Sequence, residues 1–299
     1  MFFTAPLDEV IRTGTAEALA QNPELSHLLN LKHSCLSPLT LYIDNGLIAA
    51  SAQDRQDTSK IVEVTFQEAH KWLTTRGLKI DQVKNELIHF TKLNRGRHSG
   101  EGPPVTIPTN MLGETKSVQP AKSIQYLGVW LDSCLNFSEH VQRTTTKAIT
   151  AAHALKLLGN SIRGMHQVHA RQIYIGAIHP IATYGVMSFW KSKNRGLLNL
   201  LTKMQNKALQ MITGVFHTTN ITAMEIKASI PPIDIWMDYT LNMEVLQISR
   251  LAENHPIVCH LYLEQHNHHP LTTPPPLPPF DNSKRHRSNP KTKLMTCIT

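Results

Sequence analysis

Long apolar runs are missing from this 299-residue chain: no window approaches eighteen uninterrupted apolar residues. Met1-Phe2-Phe3 gives way at once to Thr4, Pro6 and Asp8, with no basic stretch ahead of an apolar one. The expectation is a protein that neither crosses a membrane nor carries an export leader, and that stays inside the cell. Cysteine is scarce as well. Cys35, Cys134, Cys259 and Cys297 lie far apart, without the spacing of a disulfide framework or a zinc site, and are read as reduced thiols. Acid is the third shortage. Lys and Arg number 30 against 22 Asp and Glu, for a net charge of +8 and a pI near 9.3.

The acid deficit is concentrated in one stretch. Between Glu139 and Glu225 there is no Asp or Glu, while Arg143, Lys147, Lys156, Arg163, Arg171, Lys191, Lys193, Arg195, Lys203 and Lys207 all fall inside it. A segment without internal counterions repels itself unless an external polyanion neutralises it, and the phosphate backbone of RNA or DNA meets that need. A solvated basic face on an ordinary helical domain has the same composition. Tyr174, Tyr184, Phe189 and Trp190 interleave with the charges, either as platforms for base stacking or as core.

Periodicity divides the chain at about Phe137 into an α+β part and a helical part. Residues 1–35 are weakly defined. Leu39, Leu41 and Ile43 alternate with Thr40 and Tyr42, and Leu47 to Ala50 form a second apolar run. Asp44-Asn45-Gly46 between them is turn chemistry, so the pair reads as a hairpin with an acid at its tip. A helix is expected from Ile61 to Arg76, stopped by Gly77, then a strand at Leu87 to Phe90. Asn94 to Lys116, rich in Gly and Pro, reads as a loop, and Tyr126 to Asp132 as a strand. Helices follow at Ser138 to Leu158, at His166 to Trp190 with a break at Pro180, at Leu197 to Ile212 before Gly214, at Thr222 to Ser229 and at Asp234 to Leu251. Residues 265–299 are Pro-, His- and Lys/Arg-rich and are expected to lack packed structure. His266, His268 and His269 in that tail would hold a metal only weakly.

The order of these segments resembles the reverse transcriptases of non-LTR, LINE-like retrotransposons, of fungal type, over about residues 36 to 264. Tyr42, Ile43 and Asp44 are similar to the Tyr-x-Asp-Asp box of the polymerase palm, with Asn45 at its second Asp. Gly77-Leu78-Lys79-Ile80 and Lys84 to Phe90 resemble the next palm motif. Tyr126-Leu127-Gly128-Val129-Trp130, with Leu135-Asn136-Phe137, resembles the primer-grip hairpin that leads into the thumb. Gln205, Thr213-Gly214, Thr218-Thr219 and Ile230-Pro231-Pro232 resemble the helical region beyond. The ordered set is far more specific than any single motif.

The resemblance implies a partial palm at 36–137, a basic helical thumb or connection at 138–264, and template-directed DNA synthesis with RNA and DNA as partners. It also implies Mg²⁺ as cofactor, because nucleotidyl transfer uses two such ions held by carboxylates. Asp44 would be the metal ligand and Lys84 the acid that protonates the leaving pyrophosphate. A lysine at the edge of a strand explains Lys84 equally well. The family uses three aspartates. Asn45 offers a neutral amide in place of one, and Asp8, Glu9, Glu17 and Glu24 ahead of the box do not form the motif of another. The expectation is a truncated, inactive polymerase, with a non-enzymatic nucleic-acid-binding module acting through 140–224 as the alternative.

Overall fold

The computed structural model describes residues 4–23, 26, 35–42, 45–52, 54–81, 83–90, 102–109, 114–158, 165–190, 194–252, 255, 257–258 and 293–298. The chain is α+β and forms two compact units. One comprises Met1–Phe137 with Arg287–Thr299, and the other Ser138–His286.

The first unit is built on a four-stranded sheet. β1 (Cys35–Tyr42) and β2 (Asn45–Ser51) form an antiparallel hairpin. Leu36 pairs with Ala50 but Leu39 with Ile48, so Ser37-Pro38 is a bulge, where a proline without an N–H is tolerated. α2 (Arg55–Thr75) leads on to β3 (Glu86–Phe90). A last strand comes from the far side of the second unit in sequence. β8 (Lys293–Ile298) lies between β2 and β3, giving the order β1-β2-β8-β3 with antiparallel neighbours. Six residues of the tail expected to be unstructured are thus in a sheet, because Leu294-Met295-Thr296-Cys297-Ile298 is a short apolar, proline-free run.

α1 (Thr4–Gln21) and α2 cover one face of this sheet. Ile11 and Leu19 from α1, Ile61, Val62, Phe66 and Ala69 from α2, and Ile48, Ala50 and Leu87 from the strands share one core. Alternation along β3 sends Ile88 and Phe90 to the opposite face, where they join Ile124. α2 starts six residues before the sequence expectation. Asp54 caps it, its side chain accepting from Arg55 N at 2.7 Å, and this polar first turn carries no apolar period. The helix ends at Arg76, which stacks over Trp72 at 3.7 Å, and Gly77 turns left-handed with φ 75°.

The Gly/Pro-rich stretch expected to be a loop contains a strand pair. β4 (Val105–Pro108) and β5 (Thr115–Val118) are antiparallel, and Val105, Ile107 and Val118 are buried in the α2 core. The backbone N–H of Thr106 donates to Glu63 Oε1 on α2 at 2.6 Å. Beside β4, buried His89 lies 2.9 Å from the Pro103 carbonyl, to which its Nε2–H donates. A Cβ on Gly102 would come within 2.5 Å of that imidazole, so this approach requires glycine.

The second unit is helical. α3 (Ser138–Leu158) packs against α7 (Arg195–Thr213), whose buried face is Leu197, Leu201, Met204, Gln205, Ala208, Leu209 and Ile212. Asn194 caps α7, its Oδ1 accepting from Leu197 N at 3.3 Å, and Gly214 ends it at φ 65°. α8 (Ile221–Ala228) and α9 (Ile233–Ser249) complete the unit.

The helix expected to break at Pro180 breaks elsewhere. α4 (Gln167–Ile173) runs into a π-helical turn at Tyr174–Ile178, which passes directly into α5 (His179–Thr183). Pro180 is the second residue of α5, just past the π-turn, and the helical run continues through it. The chain turns instead at Gly185, φ 73°, before α6 (Val186–Phe189).

Candidate functional site

The hairpin carrying the acidic box closes one step earlier than Asp44-Asn45-Gly46 turn chemistry implies. Tyr42 pairs with Asn45 and Leu41 with Gly46, so Asn45 and Gly46 belong to β2. Gly46 also pairs with Ile298 of β8, which holds it in the ladder on both sides. Ile43 and Asp44 are the two residues between the strands and lie outside the described residues. Tyr42 is exposed and Asn45 half-buried.

Lys84 is not on a strand edge. It lies in the turn before β3, exposed, with its Nζ 3.6 Å from Asp81 Oδ2. Asp81 organises that turn by accepting from Val83 N at 3.1 Å through its side chain and from Lys84 N at 3.3 Å through its carbonyl.

The expected strand from Tyr126 to Asp132 is a hairpin. β6 (Ser123–Tyr126) and β7 (Val129–Asp132) pair antiparallel, with Tyr126 opposite Val129. Leu127 and Gly128 form the two-residue turn, with φ of 47° and 81°. Two positive φ values in succession define a type I′ turn, whose twist matches that of the strands. A leucine in left-handed backbone costs about 1 kcal/mol, and Leu127 is exposed. Trp130 and Val129 are half-buried. Asp132 then fixes the motif that follows. Its carboxylate accepts from Asn136 N at 3.1 Å and Phe137 N at 2.8 Å, holding Leu135 and Phe137 at φ 52° and 57°. The sequence marked Asp132 as the end of a strand, but not its role in ordering Leu135-Asn136-Phe137.

Six of the ten cations of the acid-poor stretch have described side chains, and two of these six are engaged within the fold. Arg143 has a counterion after all: Glu139, one turn earlier on α3, binds its guanidinium at 2.6 and 2.9 Å. Arg171 donates to the Ser229 carbonyl at 3.0 and 3.3 Å, closing the end of α8 onto α4. Lys147 is exposed on α3. Arg195, Lys203 and Lys207 are exposed on α7 and, with Asn199, follow one another at four-residue steps along one stripe, about 18 Å long. Arg163, Lys191 and Lys193, and the side chain of Lys156, lie outside the described residues, as do His266, His268 and His269.

The interleaved aromatic residues are mostly core. Tyr174, Phe189 and Trp190 are buried, and only Tyr184 is exposed. Trp190 Nε1–H donates to Asp238 at 2.6 Å, and His140 Nε2–H to the Tyr184 carbonyl at 3.0 Å. Gln205 is the hub of a further set: it accepts from the Tyr174 hydroxyl at 3.4 Å and donates to Glu225 Oε1 at 3.1 Å and the Pro231 carbonyl at 3.0 Å. Two separate motif elements, Gln205 and Ile230-Pro231-Pro232, therefore meet in the fold. His179 stacks on Trp236 at 3.7 Å between ring centroids, and its Nε2 is buried with no partner among the described residues. Burial pulls its pKa down to about 4 and pushes the Tyr174 hydroxyl well above its ordinary value.

The donor set does not fit a two-Mg²⁺ centre. Asn45 supplies a neutral amide oxygen where a dication site needs charge, and Asp81 is engaged by Lys84. Among the described residues no group of three or more His, Cys, Asp or Glu is placed to hold a metal ion. No helix among them is long and apolar enough to cross a membrane.

These features define an α+β protein with a helical second unit and short antiparallel strand pairs. Two curated proteins match the sequence. A probable RNA-directed DNA polymerase from transposon BS of Drosophila melanogaster is 31% identical over 110 residues, 37% of this chain and 12% of that protein. A retrovirus-related Pol polyprotein from the type-1 retrotransposable element R1 of Nasonia vitripennis is 20% identical over 198 residues, 66% of this chain and 57% of that protein. The chain thus spans about an eighth of the first relative and just over half of the second. The similarity supports the reverse transcriptase family. No family model matches the chain, and no solved structure matches it.

Proposed function

We propose that this chain is the palm-and-thumb part of a non-LTR retrotransposon reverse transcriptase, with palm at residues 36–137 and thumb at 138–264, and that by itself it does not synthesise DNA. The observation that carries this is the hairpin in which the Tyr42–Asn45 pair encloses Ile43 and Asp44. In sequence α2, β3 and the β6–β7 hairpin follow it in the order that the motifs require. Asp44 keeps the carboxylate of the box, Lys84 is the acid candidate, and Tyr126 to Trp130 position the primer end. Inactivity has two causes: Asn45 offers an amide, which does not neutralise a dication, and Asp8, Glu9, Glu17 and Glu24 do not form the aspartate motif that the family carries ahead of the box. The fungal affiliation rests on the motifs alone, since both relatives above come from insects.

Primer extension on an RNA template with Mg²⁺ or Mn²⁺ should give no incorporation, and Asn45→Asp alone should not restore it. Incorporation that vanished on Asp44→Ala would overturn the proposal.

The exposed stripe of Arg195, Lys203 and Lys207 favours a second reading, a non-enzymatic module that binds RNA or DNA phosphate without sequence preference. Fluorescence titration with single-stranded RNA at several salt concentrations tests it. Affinity should fall steeply with salt, and binding without a salt slope, or no binding, would rule it out.

A further inference from the structure

We infer that the gap between β2 and β3 is a strand-accepting slot, and that Lys293–Ile298 is an exchangeable donor strand that fills the slot of a second copy of this chain as well as its own. β2 and β3 belong to one sheet without pairing to each other. Each turns an edge toward the gap, and β8 satisfies both, with six residue pairs to β2, from Gly46↔Ile298 to Ser51↔Lys293, and five to β3, from Glu86↔Cys297 to Phe90↔Lys293. Neighbouring strands lie about 4.8 Å apart, so the gap is one strand wide. Pairing is antiparallel on both sides, which admits an extended segment in a single direction.

The slot selects by chemistry as well as width. Its walls are Leu47 to Ala50 on one side and Leu87 to Phe90 on the other, nearly all apolar. The donor Lys-Leu-Met-Thr-Cys-Ile has no acid, proline or glycine to oppose insertion.

Connectivity makes the strand exchangeable. Roughly 200 residues or more separate β8 from both β3 and β2, so seating it costs more chain entropy than closing the β1–β2 hairpin, and it forms late. Until it forms, two apolar-walled edges stand open, which is the condition under which an identical strand from another chain inserts. Every copy carries such a donor. The proposal rests on sheet topology and is independent of the polymerase reading.

A disulfide reports the occupant. Leu47 and Cys297 are register partners, and antiparallel partners at Cα separations of about 4.5–5.5 Å are within reach of a disulfide. Two full-length chains are prepared with Cys35, Cys134 and Cys259 replaced by Ser. The acceptor chain adds Leu47→Cys and Cys297→Ser, and the donor keeps Leu47 and Cys297. Refolding the two together and oxidising mildly should give a covalent heterodimer at least tenfold above that of a mixture whose donor carries Met295→Pro. Met295 is mid-strand, opposite both Ala49 and Ile88, and proline there removes the ladder N–H. A single chain with Leu47→Cys and native Cys297 is the folding control and should close internally. Internal closure without heterodimer would make the slot intramolecular only and overturn the exchange. Closure in neither experiment would remove β8 from the slot altogether. Heterodimer undiminished by Met295→Pro would reduce the result to chance thiol contact and overturn the inference equally.

Discussion

The two units solve the same problem, burying a core, with opposite use of the chain. In the helical unit the main packing partners, α3 and α7, lie within about 40 residues of each other along the chain, and the polar groups that go inside are mostly tied to one another: Tyr174 to Gln205 to Glu225, Trp190 to Asp238, His140 to a carbonyl. In the sheet unit the sheet is completed by a strand from the far end of the sequence, and Tyr42, Lys84 and Leu127 of the motifs are exposed. The difference teaches where each unit is vulnerable. The sheet unit stands or falls with apolar packing and one long-range pairing, whereas the helical unit is sensitive to the protonation and hydrogen bonding of its interior.

Phe66→Ala should break the comparison most visibly. It empties a fully buried site between α2 and the sheet, a change that costs about 3–5 kcal/mol. Calorimetry should show one transition falling while a second, from the helical unit, holds. Equal movement of both would mean that the units unfold together.

Acid should reverse the order of fragility. The folded-state pKa of His179 is lowered to about 4 from an ordinary 6.5 by burial against Trp236 and Tyr174. The unfolded chain therefore takes up the proton first as pH falls. Stability is intact above pH 6.5 and is lost progressively toward pH 4, by about 3 kcal/mol in the helical unit. Burial also lowers His140 in the same unit and His89 in the other. Denaturant melts at pH 7, 5.5 and 4.5 should show this slope, and His179→Phe should flatten most of it; a slope unchanged in that variant would assign the acid sensitivity elsewhere.

Gln205→Ala removes a hub, leaving Glu225 and the Pro231 carbonyl without its amide, and should cost about 1–3 kcal/mol. A loss confined to the sheet unit would contradict the contacts described. Smallest is Glu139→Gln, worth under about 1 kcal/mol because the Arg143 pair is solvent-exposed. It frees one cation, so the salt slope of RNA binding should steepen by about one if Arg143 reaches phosphate. An unchanged slope would restrict the binding face to other cations.

Legibility followed the same division. α3, α7, α8 and α9 could be read because apolar residues recur at helical spacing between caps such as Asn194 and Gly214. The start of α2 was hidden because Asp54 and the polar turn after it have no apolar period. β4 was hidden in a Gly/Pro-rich stretch, although Val105 and Ile107 alternate with Thr106. β8 looked like the end of a low-complexity tail, and nothing local announces a partner some 200 residues away. At the candidate site the motif residues were visible as a string. Their organisers were not, since Asp81, Asp132 and Glu225 act through turns and tertiary contacts.

The π-helical turn at Tyr174–Ile178 alters the counting of the chain. His179 N–H reaches back five residues to the Tyr174 carbonyl, and the wider ring lets residues five apart face the same way, so Tyr174 and His179 both meet Trp236. In an ordinary helix they would diverge. One surplus residue is thus absorbed here, and an alignment that assumes unbroken helical phase will slip by one position beyond it. A relative with one residue fewer in this interval should be read with a gap at 174–178, and deleting Gly176 should restore ordinary helical phase, leaving Tyr174 and His179 four residues apart and still on one side of the helix.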